Sequence, residues 1–419
     1  MTATRAARPE GLAAYMAVTV AYWAFMLTDG ALRMLVLLHF NALGFTPIQL
    51  AYLFLLYEAA GIATNLSAGW IAARFGLAFT LHAGLALQIG ALLALARLDP
   101  AWAVASSVAF VMAVQGVSGV AKDLSKMSAK SAVKLLAPEA EGALFAWVAR
   151  LTGSKNAVKG LGFLLGAGLL ATAGFEWAVL GMAGALALVL LAVALLLPPG
   201  LPRGRRGAAF REVISKDRAI NWLSAARLFL FGARDVWFVV GVPIFFYGVL
   251  SDGTPEGRRA AFFLVGTFMA LWIIGYGAVQ AAAPRLLRGL TATIPETVGQ
   301  ARLWVGLLAL VPAALAAAAW LAPEDPAPGW LVAVVVAGLM AFGVVFALNS
   351  ALHSYLVLAF SDRERVTMDV GFYYMANAAG RLLGTLLSGL SYQAGGLALC
   401  LATASAMAGA SWLCARRLG

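Results

Sequence analysis

Long, uninterrupted runs of apolar residues constrain this chain more than any other feature. Hydrophobic residues make up 62% of its 419 residues, and only 12% are charged. Inside a bilayer every backbone polar group must be paired within the protein, so only helices or closed barrels can cross it. The runs lack the alternation of barrel strands and therefore indicate helices. We expect twelve of them, at about 12–40, 48–73, 78–98, 103–126, 146–172, 175–197, 219–247, 259–283, 301–322, 330–358, 370–392 and 396–415.

The loops between these runs alternate in charge. Loops on one side are rich in arginine and lysine, whereas 41–47, 99–102 and 323–329 on the other side are short and neutral or acidic. Cytoplasmic loops of membrane proteins carry the excess of basic residues. We therefore expect a multi-pass protein of the cell (inner) membrane with both termini in the cytoplasm. The same rule explains the net charge of +11 without a nucleic-acid partner.

The longest interruption lies at 198–218, which is rich in proline, glycine and arginine. Such a composition predicts a basic cytoplasmic linker rather than a helix. It divides the chain into an N-terminal six-helix half, 1–197, and a C-terminal six-helix half, 219–419.

The two halves also resemble each other in sequence. Lys159-Gly-Leu-Gly in the fifth run matches Arg381-Leu-Leu-Gly in the eleventh, and Asp29 in the first run has its counterpart Asp235 in the seventh. Two parallel six-helix halves, each built of inverted triplets, are typical of major facilitator transporters. The predicted fold class is thus an all-α integral membrane protein with twelve transmembrane helices in two pseudo-symmetric halves.

A short motif at the end of the second run supports this fold. Gly69, Arg74 and Gly76 follow the superfamily's gating signature Gly-x-x-x-Asp-Arg-x-Gly, which lies between its second and third helices. Ala73 replaces the aspartate, so the salt bridge that this motif usually provides is not expected here.

Basic residues lie within the apolar runs themselves. A cation at the bilayer centre costs about 2.5–3.5 kcal/mol, so seven facing lipid would cost on the order of 20 kcal/mol. They are therefore expected to line an interior, which favours an anionic cargo. The seven are Arg33, Arg150, Lys155, Lys159, Arg227, Arg234 and Arg381.

Arginines on the first and seventh helices are the leading candidates for cargo binding. The guanidinium is a planar fork that binds phosphate in a bidentate manner. Arg33 lies on the first helix, and Arg227 and Arg234 lie two turns apart on the seventh. Asp29 stands four residues before Arg33, a spacing that allows an ion pair within the helix. One of the three arginines could instead bridge to Asp235.

Lysines on the fourth and fifth helices, with Arg381 on the eleventh, form a second candidate set. Lys155, Lys159 and Arg381 are expected either to contact cargo or to pair with acids, and the sequence does not choose between these roles. Lys122 begins a basic series at the end of the fourth helix and is interpreted as part of an entry funnel for anions.

Four acids in the membrane complete the candidate site: Asp29, Glu58, Asp123 and Asp235. Intramembrane acids are commonly proton relays, but they also pair with buried cations. Both interpretations stay open. No nucleophile with a base, cofactor motif or metal-ligand spacing stands out, so we expect neither an enzyme nor a bound cofactor or metal.

Four segments resemble one family in detail: 22–40, 119–136, 151–160 and 219–238. They are similar to the organoarsenical efflux permeases of the major facilitator superfamily, the ArsJ type. The resemblance implies a small anionic cargo, 1-arseno-3-phosphoglycerate, which glyceraldehyde-3-phosphate dehydrogenase makes when arsenate replaces phosphate. Export by alternating access would then confer arsenate resistance.

Other functions fit the same residues. An organic-phosphate or sugar-phosphate transporter or antiporter of the same superfamily would need the same cations, and the sequence does not fix the direction of transport. A non-transporting membrane receptor or scaffold is disfavoured, because it would not need buried arginines. We expect a monomer in the lipid bilayer.

Overall fold

The computed structural model describes residues 9–136, 143–197, 217–287, 293–323, 327–361 and 366–418, among which no strand occurs. The helices are α1 (Pro9–Ala42), α2 (Pro47–Leu95), α3 (Val104–Leu136), α4 (Ala143–Thr172), α5 (Gly174–Leu196), α6 (Arg218–Val236), α7 (Val242–Leu250), α8 (Pro255–Leu286), α9 (Ile294–Leu321), α10 (Gly329–Phe360) and α11 (Val366–Ala415). A π-helical segment, Trp237–Gly241, joins α6 to α7.

Glycines break the two longest helices into separate crossing segments. Gly76 in α2 has a φ of 76° and Gly396 in α11 has a φ of 57°, a region that residues with a Cβ rarely adopt. Counting each broken helix twice, and α6 with α7 once, the described residues form twelve crossing segments. Ten described stretches are apolar enough to span a membrane; α4, with its lysines, is not among them. The predicted fold class is confirmed.

Caps and prolines explain where several of these helices begin. The Thr46 side chain accepts a hydrogen bond from the backbone N–H of Gln49, and Thr254 accepts one from Gly257. Proline follows directly at Pro47, and its missing N–H costs nothing in the first helical turn. The positions at which these helices begin are thus set by capping residues and prolines as well as by the bilayer.

Pro243 accounts for the irregular seventh crossing. Without an N–H it cannot complete the helical hydrogen-bond ladder, and the π-helical segment ends two residues before it. The hydroxyl of Ser388 on α11 accepts hydrogen bonds from the backbone N–H groups of Val240 and Gly241, at 3.1 and 3.2 Å. This irregular turn is therefore held against α11.

Glycines let α4 cross α1, and α11 cross α6, at very short range. A Cβ at Gly30 would lie 2.6 Å from the carbonyl oxygen of Lys159, and one at Gly384 would lie 2.7 Å from that of Gly232. Small residues of this kind permit close helix contact in membranes. The two crossings occupy equivalent places in the two six-helix halves. The boundary at 198–218 stays a prediction, because residues 198–216 lie outside the described part of the chain.

The first half comprises α1–α5 and the second half α6–α11. We call the end of the bundle where α1 begins the first end and the opposite end the second end. At the second end the halves are in contact, because the backbone N–H of Ile48 donates to the Gln393 side chain at 3.2 Å. A Cβ at Gly389 would meet the Pro47 carbonyl oxygen at 2.6 Å. The bundle is therefore closed at its second end.

Exposed aromatic residues gather at the same end. Trp177 begins α5, Trp320 lies at the end of α9 and Trp330 begins α10, and all three are exposed. Tryptophans are enriched at the boundary between lipid and water. They mark the membrane surface at the second end.

Candidate functional site

A cavity of about 550 Å³ lies between the two halves. Side chains from α1, α2, α3 and α4 form one wall, and side chains from α6, α8, α10 and α11 form the other. Eight basic residues line it: Arg33, Lys122, Lys126, Lys155, Lys159, Arg227, Arg234 and Arg381. Three acidic residues line it: Glu58, Asp123 and Asp235.

The cavity extends from the middle of the bundle toward the first end. Lys126 near the end of α3, Lys155 in α4 and Gln280 near the end of α8 all line it. Toward the second end, the wall finishes at Glu58 and Arg381, beyond which α2 packs on α11. The structure therefore presents the cavity to one side of the bundle only.

Glu58 is the meeting point of the two halves at the bottom of the cavity. Its Oε1 accepts hydrogen bonds from Nη1 and Nη2 of Arg33, at 3.1 and 3.2 Å. The same oxygen accepts one from Nη2 of Arg381 at 2.6 Å. Arg33 belongs to the first half and Arg381 to the second. Glu58 therefore ties α1 and α2 to α11.

Asp235 extends this network within the second half. Nε of Arg234 donates to its Oδ1 at 2.6 Å, and Nε of Arg381 donates to its Oδ2 at 3.2 Å. Three arginines thus share two carboxylates, and both acids are 1% exposed. Of the three arginines for which a bridge to Asp235 was considered, Arg234 forms it, and Arg381 on α11 bonds to the same acid.

Asp29 forms a separate ion pair within the first half. Its carboxylate accepts hydrogen bonds from Nζ of Lys159 at 3.0 Å and from the Tyr57 hydroxyl at 2.6 Å. The pair between Asp29 and Arg33 that their spacing allows does not form, because Arg33 turns to Glu58 on the neighbouring helix. Asp29 does not line the cavity but lies behind Lys159. This pair matches Asp235 and Arg381 in the other half.

A third group of contacts joins α2 to α3. Asp123 accepts hydrogen bonds from Nζ of Lys126 at 3.0 Å and from the Thr64 hydroxyl at 2.5 Å. Lys126 also donates to the Asn65 side chain at 2.9 Å. Lys126 is thereby neutralised within its own half.

Two lining cations, Lys122 and Arg227, have no carboxylate within 4.0 Å among the described residues. Nζ of Lys122 instead lies 4.1 Å from the ring centre of Tyr57. Arg227 donates to the Asn377 side chain at 3.1 Å and to the Ser350 hydroxyl at 3.0 Å. Its guanidinium carbon is 4.0 Å from the ring centre of Phe231.

The cavity therefore holds a positive surplus. Its eight lining cations are opposed by three lining acids and Asp29, so these charges sum to +4. A charged wall around a cleft raises the local concentration of ions of the opposite sign. The arrangement is suited to an anion with more than one negative charge.

All six cations predicted for cargo binding lie on the cavity wall, although the structure does not test their role. Sequence reasoning placed Lys122 in an entry funnel, whereas it lies in the cavity wall and is 9% exposed. It missed Gln280 and Ser350 altogether. A lone amide or hydroxyl within an otherwise apolar run was the signal that could have found them.

The gating motif contributes less. Gly76 provides the turn between the second and third crossings, with its φ of 76°. Gly69 and Arg74 lie within α2, and the side chain of Arg74 falls outside the described part of the structure, as does that of Arg150.

Twelve crossing helices around a polar cavity that is closed at one end define a multi-pass membrane transporter. A model of the Major Facilitator Superfamily matches residues 15–385, and the chain belongs to this superfamily. The predicted superfamily is confirmed, and membership indicates a transporter rather than an enzyme. No curated protein matches the chain.

Solved structures share the fold at low sequence identity. A mutant of the nucleoside transporter NupG has a TM-score of 0.70 at 14% identity, covering 97% of this chain and 98% of its own. A POT family transporter in complex with a thioalcohol-conjugated peptide also has a TM-score of 0.70 at 14% identity, over 95% and 94% of the two chains. A structure of proton-dependent oligopeptide transporters has a TM-score of 0.69 at 14% identity, over 97% of each.

Proposed function

We propose that this transporter exports an organoarsenical anion, 1-arseno-3-phosphoglycerate, and thereby confers arsenate resistance. The observation that carries the proposal is the surplus of four positive charges in the cavity between the halves. The cavity supports an anionic cargo of small size. That the cargo contains arsenic is inferred from the resemblance of segments such as 22–40 and 219–238 to organoarsenical efflux permeases.

The direction of export follows from the predicted orientation. If the basic loops are cytoplasmic, then the first end faces the cytoplasm and the cavity is open to cargo made there. Each negative charge that leaves an inside-negative cell gains about 2.3 kcal/mol per 100 mV. Proton antiport is therefore not required for efflux. Glu58 and Asp29 are both bonded to cations, which supports ion pairing over proton relay for these acids.

Alternating access then requires a rearrangement at the bottom of the cavity. For the second end to open, α2 must separate from α11, and the Glu58–Arg381 bridge must break. An anion bound in the cavity competes with Glu58 for its arginines. Cargo binding thus weakens the contact that closes the second end.

We also propose where the transporter lies and which enzyme makes its cargo. The transporter is a monomer in the inner membrane with both termini in the cytoplasm. Glyceraldehyde-3-phosphate dehydrogenase supplies its cargo by a functional link rather than by contact. The organic-phosphate or sugar-phosphate antiporter is the rival, because the same surplus charge would bind its substrates.

Survival of arsenate-sensitive cells tests the cargo. Cells with the transporter, with and without glyceraldehyde-3-phosphate dehydrogenase, are grown in arsenate, and cell arsenic is measured. We expect protection and reduced cell arsenic only when both proteins are present. A Leu188→Ala variant, changed at an exposed residue of α5, serves as the control for insertion and should protect equally. Protection without the dehydrogenase, or none with it, would contradict the proposed cargo.

A further inference from the structure

Most cations of the cavity are already engaged by acids. Arg33 and Arg381 share Glu58, Arg381 and Arg234 share Asp235, and the remaining pairs are Lys159 with Asp29 and Lys126 with Asp123. At these cations an incoming anion competes with a carboxylate that is already held at 2.5–3.2 Å. They are poor first contacts for cargo.

Lys122 is different because no carboxylate among the described residues lies within 4.0 Å of its ammonium. The residue is 9% exposed, and its ammonium lies against the face of Tyr57. A ring face compensates a cation only in part. A buried ammonium without a directly bonded carboxylate is costly, so the site favours an anion that supplies one.

Arg227 is the corresponding cation of the other half. It is 4% exposed, and its partners Asn377 and Ser350 are neutral. They fix the guanidinium through Nε and Nη1 without cancelling its charge. Among the described residues, Nη2 donates to no protein atom. An arginine held in this way is pre-oriented for an oxyanion.

These two cations stand on opposite walls, Lys122 on α3 of the first half and Arg227 on α6 of the second. We propose that they form a two-ended anion site, in which each half holds one negatively charged group of the same cargo. This inference rests on the proposed function and goes further by assigning one residue on each wall to each anionic end of the cargo. Cargo with a single anionic group neutralises only one wall.

Binding of cargo at this site also favours closure of the bundle around it. A molecule that is bonded to both halves draws the two walls together, whereas one bonded to a single half does not. The need for an anionic group at each end therefore makes both the binding of cargo and the closure of the cavity selective for such molecules.

Binding of two stable probes to the purified full-length protein tests the site. 3-Phosphoglycerate carries a phosphate and a carboxylate, whereas glycerol 3-phosphate carries the phosphate alone. We expect calorimetry to give a dissociation constant at least tenfold lower for 3-phosphoglycerate. Lys122→Gln and Arg227→Gln should each reduce this preference to threefold or less, while Lys122→Arg should retain most of it.

A cation outside the cavity provides the matched control. Arg258→Gln removes an exposed arginine at the start of α8, so the preference should persist. Thermal melting verifies that each variant is folded before binding is compared.

The possible results separate the two proposals. Equal affinity for the two probes, or a preference that survives both single substitutions, would overturn the two-ended site and leave the proposed function standing. No binding of either probe to the wild-type protein would remove the anionic cargo and both proposals with it.

Discussion

Removing the charge of Glu58 should unlock the second end of the bundle. Glu58 is 1% exposed and receives hydrogen bonds from Arg33 in its own half and from Arg381 in the other. Glu58→Gln keeps the size of the side chain and one acceptor oxygen but cancels the attraction. The contact between α2 and α11 at the bottom of the cavity should weaken.

The magnitude follows from the geometry of the bridge. Two unit charges about 4 Å apart attract by about 4 kcal/mol at an effective dielectric constant of 20. The Arg381 side chain is 19% exposed to the cavity and keeps its second acid, Asp235, so we take about half of this value. About 2 kcal/mol corresponds to roughly a thirtyfold change in the equilibrium between the two end states.

Labelling of a buried thiol measures this equilibrium. Ala51 is fully buried where α2 meets Gly389, so Ala51→Cys reacts with a hydrophilic maleimide only when the second end opens. The native thiols are first replaced by Cys400→Ala and Cys414→Ala. We expect Glu58→Gln to raise the labelling rate of the purified protein at least tenfold.

Asp29→Asn is the matched control, because it breaks a buried ion pair that does not cross between the halves. Its labelling rate should stay within twofold of the parent. If Glu58→Gln labels no faster than the parent, or if Asp29→Asn labels equally fast, the bridge does not close the second end.

Three further predictions concern the ion pairs, the helix crossings and the orientation. Lys159→Met alone leaves the buried Asp29 without its ion-pair partner and should lower the melting temperature, whereas Lys159→Met with Asp29→Asn should recover most of the loss; no recovery would argue against their pairing. Gly380→Ala places a Cβ against the carbonyl oxygen of Leu228 and should abolish the yield of folded protein. Gly181→Ala, whose Cβ meets nothing within 4 Å, should give the same size-exclusion profile as the parent protein. A reporter enzyme that is active only in the cytoplasm should be active at the C-terminus, and activity of a periplasmic reporter there would reverse the orientation.

The twelve-segment fold could be predicted from the sequence because the bilayer leaves few alternatives to long apolar helices. The equivalence of Asp29 with Asp235, and of Lys159 with Arg381, was also visible as a repeat. In the structure Asp29 pairs with Lys159 at 3.0 Å, and Asp235 pairs with Arg381 at 3.2 Å. The repeat therefore carried information about contacts as well as topology.

The choice of partners could not be predicted, because spacing along one helix says nothing about neighbouring helices. Asp29 and Arg33 have ideal spacing for a pair, yet each bonds to a different helix. Likewise, Arg33, Arg227 and Arg234 were the leading candidates for cargo binding, and the structure shows Arg33 and Arg234 in ion pairs. Only the arrangement of all the acids reveals which cations are left without one.

Transport of arsenic into everted membrane vesicles tests the central claim most directly. The assay supplies arsenate, glyceraldehyde 3-phosphate, NAD and glyceraldehyde-3-phosphate dehydrogenase outside the vesicles, so that the cargo forms continuously at the original cytoplasmic face. We expect arsenic uptake only when all four components and the wild-type transporter are present, with uptake strongly reduced in Arg227→Gln. Uptake of arsenate without the dehydrogenase, or no uptake with the complete mixture, would contradict the central claim.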